Sequence, residues 1–205
     1  MLPSIIALFV KPPIPGVVKT RLAHEIGADR ACSIYKQLAD AIIYQIQSSG
    51  TPLALFFDGQ HPETVPVDWL RTALIWSTQQ GNDLGERMAA AFHQMFGLGI
   101  TRIILVGSDI HGLDAAYLQQ ASTLLEDHDL VLGPTYDGGY CLIGCNQAGF
   151  RDGIFQDISW STDQVLRQTL AIADAAGLSS ALLPYLRDID TFADLQDCNL
   201  QLPDP

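Results

Sequence analysis

The stretch SIIALFVKPPIPGVVKTR, at residues 4–21, decides how this chain folds. Its first seven residues form an apolar run that is typical of a buried β-strand. No basic segment and no small-residue cleavage site accompany this run, so we expect a first strand rather than a secretory signal peptide. The loop that follows contains three prolines and three basic residues. A basic loop at the carboxyl end of a strand is typical of the ligand-binding edge of an α/β sheet.

Strand-like and helix-like segments alternate along the rest of the chain. The predicted strands cover residues 52–57, 72–76, 102–107, 129–134, 140–145 and 180–185. The predicted helices cover residues 28–47, 83–96, 113–127, 161–177 and 191–199. This alternation predicts an α/β fold of three layers, with a mostly parallel mixed sheet between two layers of helices. Because no linker interrupts the pattern, we expect one domain over residues 1–205.

Polar residues mark the predicted starts of two helices. Asp83 and Glu86 have the spacing of a capping box, and Ser161 and Gln164 have the same spacing farther along the chain. The segment 59–68 contains prolines and is expected to be a surface loop.

The composition is that of an acidic globular protein. Of the 205 residues, 48% are hydrophobic and 17% are charged, a balance that argues against disorder. The formal net charge of −12 disfavours nucleic acid or an anionic membrane as a partner, and no apolar run is long enough to span a membrane. The cysteines at positions 32, 141, 145 and 198 form no CxxC pair. We therefore expect reduced thiols and a cytoplasmic protein.

The basic loop predicts a phosphate-binding site. Lys11, Lys19 and Arg21 lie close together in a chain that has few basic side chains, and Gly16 permits a close approach of the backbone. Lys19, Thr20 and Arg21 are expected to open a helix whose free N–H groups favour an anion. A solvated basic turn is the alternative. We expect solvent to reach Lys19 and Arg21, so that neither contributes much to folding.

Carboxylates at two strand ends are candidate ligands for Mg²⁺ or Mn²⁺. Asp109 follows the apolar strand 102–107, where it would face a ligand crevice, although it could instead cap the following turn. Asp188 and Asp190 alternate in an extended segment, so both could face one cation. A capping role for Asp190 at the helix that starts near Thr191 is the competing interpretation.

Two polar segments could contact the rest of a nucleotide substrate. Residues 135–140, TYDGGY, join two strands, and Asp137, Gly138 and Gly139 could lie beside a sugar, with a plain hairpin turn as the alternative. Residues 79–87, QQGNDLGER, are rich in groups that suit base or ribose recognition, although helix capping explains part of the pattern. His111 lies two residues after Asp109 and could reach the same ion.

Six segments, taken in order, resemble a family of bacterial GT-A-like transferases, also labelled radical-SAM/selenodomain-associated transferases. They are FVKPPIPGVVKTRLA, QGNDLGERM, VGSDIHGL, LGPTYDGGYCLIG, ISWSTDQVL and LRDIDTFADL. More distantly, the chain is similar to phospholactate and molybdenum-cofactor guanylyltransferases. His111 departs from the pattern, because the family usually has Pro there.

The resemblance implies a GT-A fold with a nucleotide in the crevice. It also implies roles for individual residues in this sequence. The residues implied to bind phosphate are Lys11, Lys19 and Arg21, with Gly16 and Thr20 in the same loop. The residues implied to bind metal are Asp109 and Asp190. The residues implied to lie near the base or sugar are Gln80, Gly81, Asp83 and Arg87.

Two chemistries are compatible with these residues. In the favoured one, a metal-dependent nucleotide-sugar transferase uses Lys19 to stabilise the departing diphosphate and Asp137 to orient or deprotonate a small-molecule acceptor. In the alternative, a nucleotidyltransferase joins a nucleoside triphosphate to a phosphorylated small molecule. A nucleotide sensor without turnover is a third interpretation, whereas the missing G-x-G-x-x-G after the first strand disfavours a dinucleotide-dependent oxidoreductase. A homodimer is compatible with the sequence, which does not determine the oligomeric state.

Overall fold

A computed structural model describes residues 4–59 and 61–198. The strands are β1 (Ser4–Val10), β2 (Leu53–Phe57), β3 (Ile75–Thr78), β4 (Arg102–Gly107), β5 (Ile110–His111), β6 (Leu130–Pro134), β7 (Tyr140–Asn146), β8 (Ser180–Leu182) and β9 (Arg187–Asp188). The helices are α1 (Thr20–Ile26), α2 (Ala28–Ser49), α3 (Val67–Thr72), α4 (Leu84–Gly97), α5 (Ala115–Asp127), α6 (Val165–Ala175) and α7 (Phe192–Asp197). Short 3₁₀ turns cover Pro62–Thr64 and Asp152–Phe155.

A seven-stranded sheet forms the middle layer, in the order β3-β2-β1-β4-β7-β6-β8. Strand β7 is antiparallel to both of its neighbours, and the other pairs are parallel. Strands β5 and β9 form a separate antiparallel pair. This arrangement confirms the prediction of a mostly parallel mixed sheet.

The core lies on both faces of the sheet because the central strands are apolar on both sides. In β1, Ile6 and Leu8 join the cluster under α2 and α5, whereas Ile5 and Phe9 join the cluster under α4 and α6. Successive side chains of a strand point to opposite faces, so a continuous apolar run covers both. The three-layer α/β class is therefore confirmed. No helix within residues 4–59 and 61–198 has the length and apolarity needed to cross a membrane.

Two predicted elements have different bounds because contacts from distant residues determine them. The strand predicted at 72–76 is formed by Ile75–Thr78, and α3 occupies the end of the predicted 59–68 loop. Helix α3 forms because Trp69 is buried and its indole Nε1 donates to Asp40 Oδ1 on α2 at 2.6 Å.

The helix predicted from Ser161 begins only at Val165. Ser161 has φ +63°, and the N–H of Leu166 in the first turn donates to the carbonyl of Gly138 at 2.9 Å. The turn between β6 and β7 therefore caps this helix, and the predicted Ser161–Gln164 cap is wrong.

Helix α4 begins as predicted, with half of the expected capping box. Asp83 Oδ1 accepts a hydrogen bond from the Glu86 N–H at 2.8 Å. The Glu86 carboxylate accepts from the N–H of Asn82 at 2.7 Å, one residue before the position that a capping box would use. The predicted helix 191–199 is α7, which has Thr191 as its N-cap; residue 199 lies outside the described residues.

Candidate functional site

A cleft of about 720 Å³ opens at the carboxyl ends of β1 and β4. The loop after β1, the start of α4, the turn before β7 and the segment after β9 all contribute side chains to it. Adjacent parallel strands present their carboxyl ends on one edge of a sheet, so loops that are far apart in sequence meet there.

Lys19 lies between two carboxylates in this cleft. Its Nζ donates to Asp109 Oδ2 and to Asp190 Oδ1, each at 2.8 Å. The Lys19 side chain is only 4% exposed, compared with 40% for Asp109 and 45% for Asp190. The prediction that solvent reaches Lys19 is wrong, because these two acidic partners draw its ammonium group inward.

The local backbone at Lys19 is unusual for a residue with a side chain. Lys19 precedes α1 with φ +49° and ψ +47°, in the left-handed region, and its side chain does not cap the helix. Burial alone would lower the pKa of its ammonium, but the negative charges of Asp109 and Asp190 outweigh burial and raise the pKa above 10.5. Lys19 is therefore a fixed positive charge in the cleft.

The β5–β9 pair brings Asp109 and Asp190 together. Ile110 pairs with Asp188, and the carbonyl of Asp109 accepts from the N–H of Ile189 at 3.1 Å. Ile189 is fully buried in a cluster with α1, α2 and α7, so its two acidic neighbours face the cleft.

The capping alternatives for Asp109 and Asp190 fail. Asp114 caps α5, where its Oδ1 accepts from the N–H of Tyr117. At α7 the cap is Thr191, which forms a reciprocal capping box with Asp194.

Asp188 is a third carboxylate in the same wall of the cleft. Burial, followed by the negative charges of Asp137, Asp109 and Asp190, raises the pKa of Asp188 to about 7, and the positive charge of Lys19 opposes this shift. The alternation of Asp188 and Asp190 was the sequence signal for this position.

The donor set fits a hard divalent cation. Asp109 and Asp190 already converge on one cation, the Lys19 ammonium, and carboxylate oxygens are ligands that Mg²⁺ and Mn²⁺ accept. Among the described residues, no group of three or more His, Cys, Asp or Glu side chains is arranged around a metal position. A Mg²⁺ ion typically takes one or two carboxylates and completes its shell with phosphate oxygens and water.

Tyr35 anchors the start of the basic loop. Its hydroxyl accepts from the Lys11 N–H at 2.7 Å and lies 3.0 Å from Ser108 Oγ at the end of β4. Sequence reasoning missed Tyr35 because its position in α2 resembles any other core position of an amphipathic helix.

The remaining predicted phosphate ligands are open to solvent. Lys11 and Thr20 are exposed and line the cleft. The Arg21 side chain is 78% exposed, and its Nη1 lies 3.7 Å from Asp190 Oδ2. Gly16 has φ +78° and open space around the position of a Cβ atom, and it is not among the described residues that line the cleft.

The loop before α4 contributes different residues from those predicted. Gln79 lines the cleft, and its Nε2 donates to the carbonyls of Val10 and Phe56 at the ends of β1 and β2. Gln80 and Gly81 are not among the described residues that line the cleft.

Gly81 has a structural role in this loop. Its φ is +137°, and a Cβ atom there would lie 2.7 Å from the backbone nitrogen of Arg87. Asp83 and Arg87 do line the cleft. Arg87 Nε donates to the Gly81 carbonyl at 3.2 Å.

The turn before β7 separates the two predicted glycines. Asp137 Oδ1 accepts from Thr135 Oγ1 at 2.6 Å and from the Gly139 N–H at 3.0 Å, and all three residues line the cleft. Gly138 has φ +88°, and a Cβ atom there would collide with the backbone of Asp163. Gly138 therefore makes room for this chain, and it is not among the described residues that line the cleft, so this geometry gives no support to the prediction that it lies beside a sugar.

His111 lies apart from the carboxylates. It is in β5 opposite Arg187, and it is not among the described residues that line the cleft. The interpretation that it reaches the same ion as Asp109 finds no support in this geometry.

Comparison with solved structures shows the same fold in other proteins, two of which are described as transferases. A proposed nucleotide-diphospho-sugar transferase from Desulfovibrio desulfuricans G20 is 33% identical, with a TM-score of 0.89 over 95% of this chain and 85% of that chain. The inositol-1-phosphate CTP transferase from T. maritima is 13% identical, with a TM-score of 0.59 over 97% of this chain and 94% of that chain. Rv0371c from Mycobacterium tuberculosis H37Rv, in complex with manganese, is 13% identical, with a TM-score of 0.53 over 95% of this chain and 97% of that chain.

These likenesses confirm the predicted nucleotide-diphospho-sugar transferase fold. None of the curated proteins matches the sequence. A bacterial family matches residues 42–162, more than half of the chain. The chain therefore belongs to the DUF2064 family, which is described as "Uncharacterized protein conserved in bacteria".

Proposed function

We propose that this protein is a metal-dependent nucleotide-sugar transferase, with its activity in one domain over residues 1–205. The observation that carries the proposal is the convergence of Asp109 and Asp190 on one cation, beside a basic loop in the same cleft. Paired carboxylates next to basic groups suit a metal-bound diphosphate. The 33% identity to a proposed nucleotide-diphospho-sugar transferase over nearly the whole chain supports the same class of substrate.

In this proposal, the diphosphate of the donor lies against the basic loop. Asp109 and Asp190 would hold Mg²⁺ or Mn²⁺, which neutralises charge on the departing diphosphate. Lys11 and Arg21 have exposed side chains that can follow the phosphates, with the Gly16 backbone and Thr20 nearby. A cation near the leaving group stabilises the transition state, and the Lys19 ammonium, in the same loop as Lys11 and Arg21, can supply that charge.

Asp137 is proposed to orient the sugar or the acceptor. Its Oδ1 is held by Thr135 and Gly139, which fixes the carboxylate within the cleft. Hydrogen bonds to substrate hydroxyls discriminate strongly, because an analogue without the hydroxyl leaves the protein group unpaired. Asp83 and Arg87, at the other end of the cleft, are proposed to face the ribose or base.

A nucleotidyltransferase acting on a nucleoside triphosphate is the second candidate. Four basic side chains, at positions 11, 19, 21 and 87, line the cleft, and this amount of positive charge suits a triphosphate. The fold is also that of the inositol-1-phosphate CTP transferase from T. maritima. In this reaction a substrate phosphate attacks the α-phosphorus and pyrophosphate leaves.

Thermal unfolding with a nucleotide panel tests the two candidates. UDP-sugars, GDP-sugars, UDP, GTP and CTP are each added with and without Mn²⁺, since a ligand that binds only the folded state raises the melting temperature. We expect a sugar nucleotide to give the largest Mn²⁺-dependent shift and to exceed the bare diphosphate. Asp137→Ala should remove that excess while diphosphate binding remains.

The opposite pattern would replace the first candidate with the second. If GTP or CTP binds best and pyrophosphate is released when a phosphorylated acceptor is added, the enzyme is a nucleotidyltransferase. If no nucleotide shifts the melting temperature with or without Mn²⁺, both proposals fail.

A further inference from the structure

We infer that Lys19 opposes the binding of a free divalent cation to this site and allows a cation to bind together with a phosphate group. Its ammonium lies between Asp109 and Asp190, where it competes with a free ion. A phosphate that becomes the new partner of the ammonium would leave the two carboxylates to the cation. The inference rests on the proposed function, because it concerns the carboxylates that are proposed to hold the metal.

The contacts of Lys19 place it in direct competition with a metal ion. The ammonium contacts one oxygen of each carboxylate at 2.8 Å, so a metal bound to the same two oxygens would meet it at close range. Like charges a few ångströms apart repel strongly in a partly desolvated site. A divalent ion can therefore bind both carboxylates tightly only if the ammonium moves.

The exposed fractions of the three side chains show which of them face the protein interior and which face the cleft. The Lys19 side chain is 4% exposed, whereas both carboxylates are 40% exposed or more. The lysine thus approaches from the protein interior and offsets half of the negative charge of two carboxylates that are open to the cleft. An ion arriving from solvent meets a pair of carboxylates whose charge is partly compensated and whose nearer oxygens already contact an ammonium.

A nucleotide bound at the basic loop would provide a second anionic partner for the Lys19 ammonium. Lys19 lies in the same loop as Lys11 and Arg21, which also line the cleft, so a phosphate bound there would lie within reach of a lysine side chain. Its left-handed backbone, with φ +49°, belongs to a region that disfavours residues with a Cβ atom. Surrounding contacts must maintain this conformation, and a phosphate that replaces them can release it.

This arrangement couples the binding of metal and nucleotide. If a phosphate draws the ammonium away, it raises the affinity for the metal, and the metal must raise the affinity for the nucleotide by the same factor. The free protein is expected to bind Mn²⁺ weakly, and the protein saturated with UDP or GDP is expected to bind it at least about tenfold more tightly.

Calorimetric titration of Mn²⁺ into the Lys19→Met variant tests the inference. We expect this variant, without nucleotide, to bind Mn²⁺ at least about tenfold more tightly than the parent, because two carboxylates lose their compensating charge. Lys36→Met is the matched control, since it removes the same charge from an exposed pair with Asp40 on α2 and should bind Mn²⁺ as the parent does. Adding Asp109→Asn to Lys19→Met should abolish the gain.

A second measurement uses the parent protein and does not depend on the variant being folded. The chain has three lysines, at positions 11, 19 and 36, so side-chain ¹⁵N NMR gives few ammonium signals. Mg²⁺ alone should leave the Lys19 signal in place, and Mg²⁺ with UDP or GDP should shift it.

The outcomes separate this inference from the proposed function. If Lys19→Met binds free Mn²⁺ no more tightly than the parent, or if Mg²⁺ alone shifts the Lys19 signal fully, the inference is overturned even when nucleotides bind. If Lys19→Met gains Mn²⁺ affinity but no nucleotide binds to any form, the exclusion of free ions by Lys19 stands and the nucleotide function fails.

Discussion

The aspartates at the helix starts and the aspartates in the cleft differ in where their hydrogen-bond donors come from. Asp83 and Asp114 each accept a backbone N–H from three residues later, both at 2.8 Å. Asp109 and Asp190 instead share the ammonium of Lys19, which is 90 and 171 positions away in sequence. The first arrangement is complete within one helical turn, whereas the second exists only in the folded chain.

This difference indicates which carboxylates are available for a ligand. A helix N-cap satisfies a backbone donor and contributes about 1 kcal/mol to stability without any partner from outside the chain. Carboxylates that gather around one cation repel one another and cost stability unless a positive charge balances them. Asp109 and Asp190 form such a pair on Lys19, and burial, followed by the negative charges of Asp137, Asp109 and Asp190, raises the pKa of the neighbouring Asp188.

The largest expected effect is at Asp109. Asp109→Asn keeps the shape of the side chain and removes the charge, so Mn²⁺-dependent nucleotide affinity should fall roughly 100-fold, the upper end of the range for changing a residue that only orients a metal ligand. Asp114→Asn is the matched control and should bind nucleotide as the parent does. Isothermal calorimetry measures both variants. Tight Mn²⁺ and nucleotide binding by Asp109→Asn would remove the distinction between the two groups of aspartates.

A smaller effect is expected on the stability of the Lys19→Met variant. Loss of a buried ammonium that compensates two carboxylates should lower the free energy of unfolding by about 2 kcal/mol, less than for a fully buried pair because both carboxylates are partly exposed. Urea denaturation measures the change, and Mn²⁺ should restore part of it. The exposed control Lys36→Met should change stability by roughly 0.5 kcal/mol or less. Equal changes in both variants would mean that the ion pairs of Lys19 stabilise the fold no more than an exposed pair does.

Asp83 belongs to both groups, because it caps α4 and also lines the cleft. Asp83→Ala should lower the free energy of unfolding by about 1 kcal/mol, and Asp83→Ser should retain most of the cap. If Asp83 also contacts the nucleotide, both variants should lose affinity by about fivefold, as for one hydrogen bond. Unchanged nucleotide affinity in both variants would make Asp83 a structural residue only.

The smallest expected effect is a pH dependence at Asp129, which is not among the described residues that line the cleft. Hydrogen bonds from the hydroxyl and N–H of Ser179 lower the pKa of Asp129 below 3.8. A lowered carboxyl pKa stabilises the fold fully above about pH 4, and this stabilisation is lost as the pH falls through the folded-state value. Ser179→Ala should therefore lower the free energy of unfolding by less than about 1 kcal/mol at pH 6, and less at pH 3. A pH-independent difference would show that the Asp129 charge does not contribute.

Much of the fold could be predicted from local patterns. Strands β1 and β4 have their predicted bounds, because an apolar run that ends in a polar loop is readable without knowledge of its neighbours. The start of α6 could not be predicted, because the carbonyl that accepts the N–H of Leu166 belongs to Gly138 in another turn. Helix α3 was missed for a similar reason, since the pair between Trp69 and Asp40 links two separate helices.

The candidate site was predicted in part. Asp109 and Asp190 were identified because each follows an extended segment, and the structure places both on Lys19. The burial of Lys19 could not be predicted, because a lysine beside Thr20 and Arg21 in a loop is normally solvated. Gly138 was predicted to lie beside a bound sugar, because the amino-acid sequence does not show that the backbone of Asp163 occupies the space next to this glycine.

The sequence by itself determined the three-layer α/β class, the basic loop after β1 and the acidic residues that follow β4 and β9, because these depend on the order of residues along single segments. Only the tertiary structure decided that Lys19 lies between Asp109 and Asp190, that Gly138 packs against its own chain and that Gln79, rather than Gln80, faces the cleft. The physical reason is that hydrogen bonds and ion pairs depend on distance in space. Where the partner is distant in sequence, only the folded sheet and the β5–β9 pair bring the two groups within bonding range.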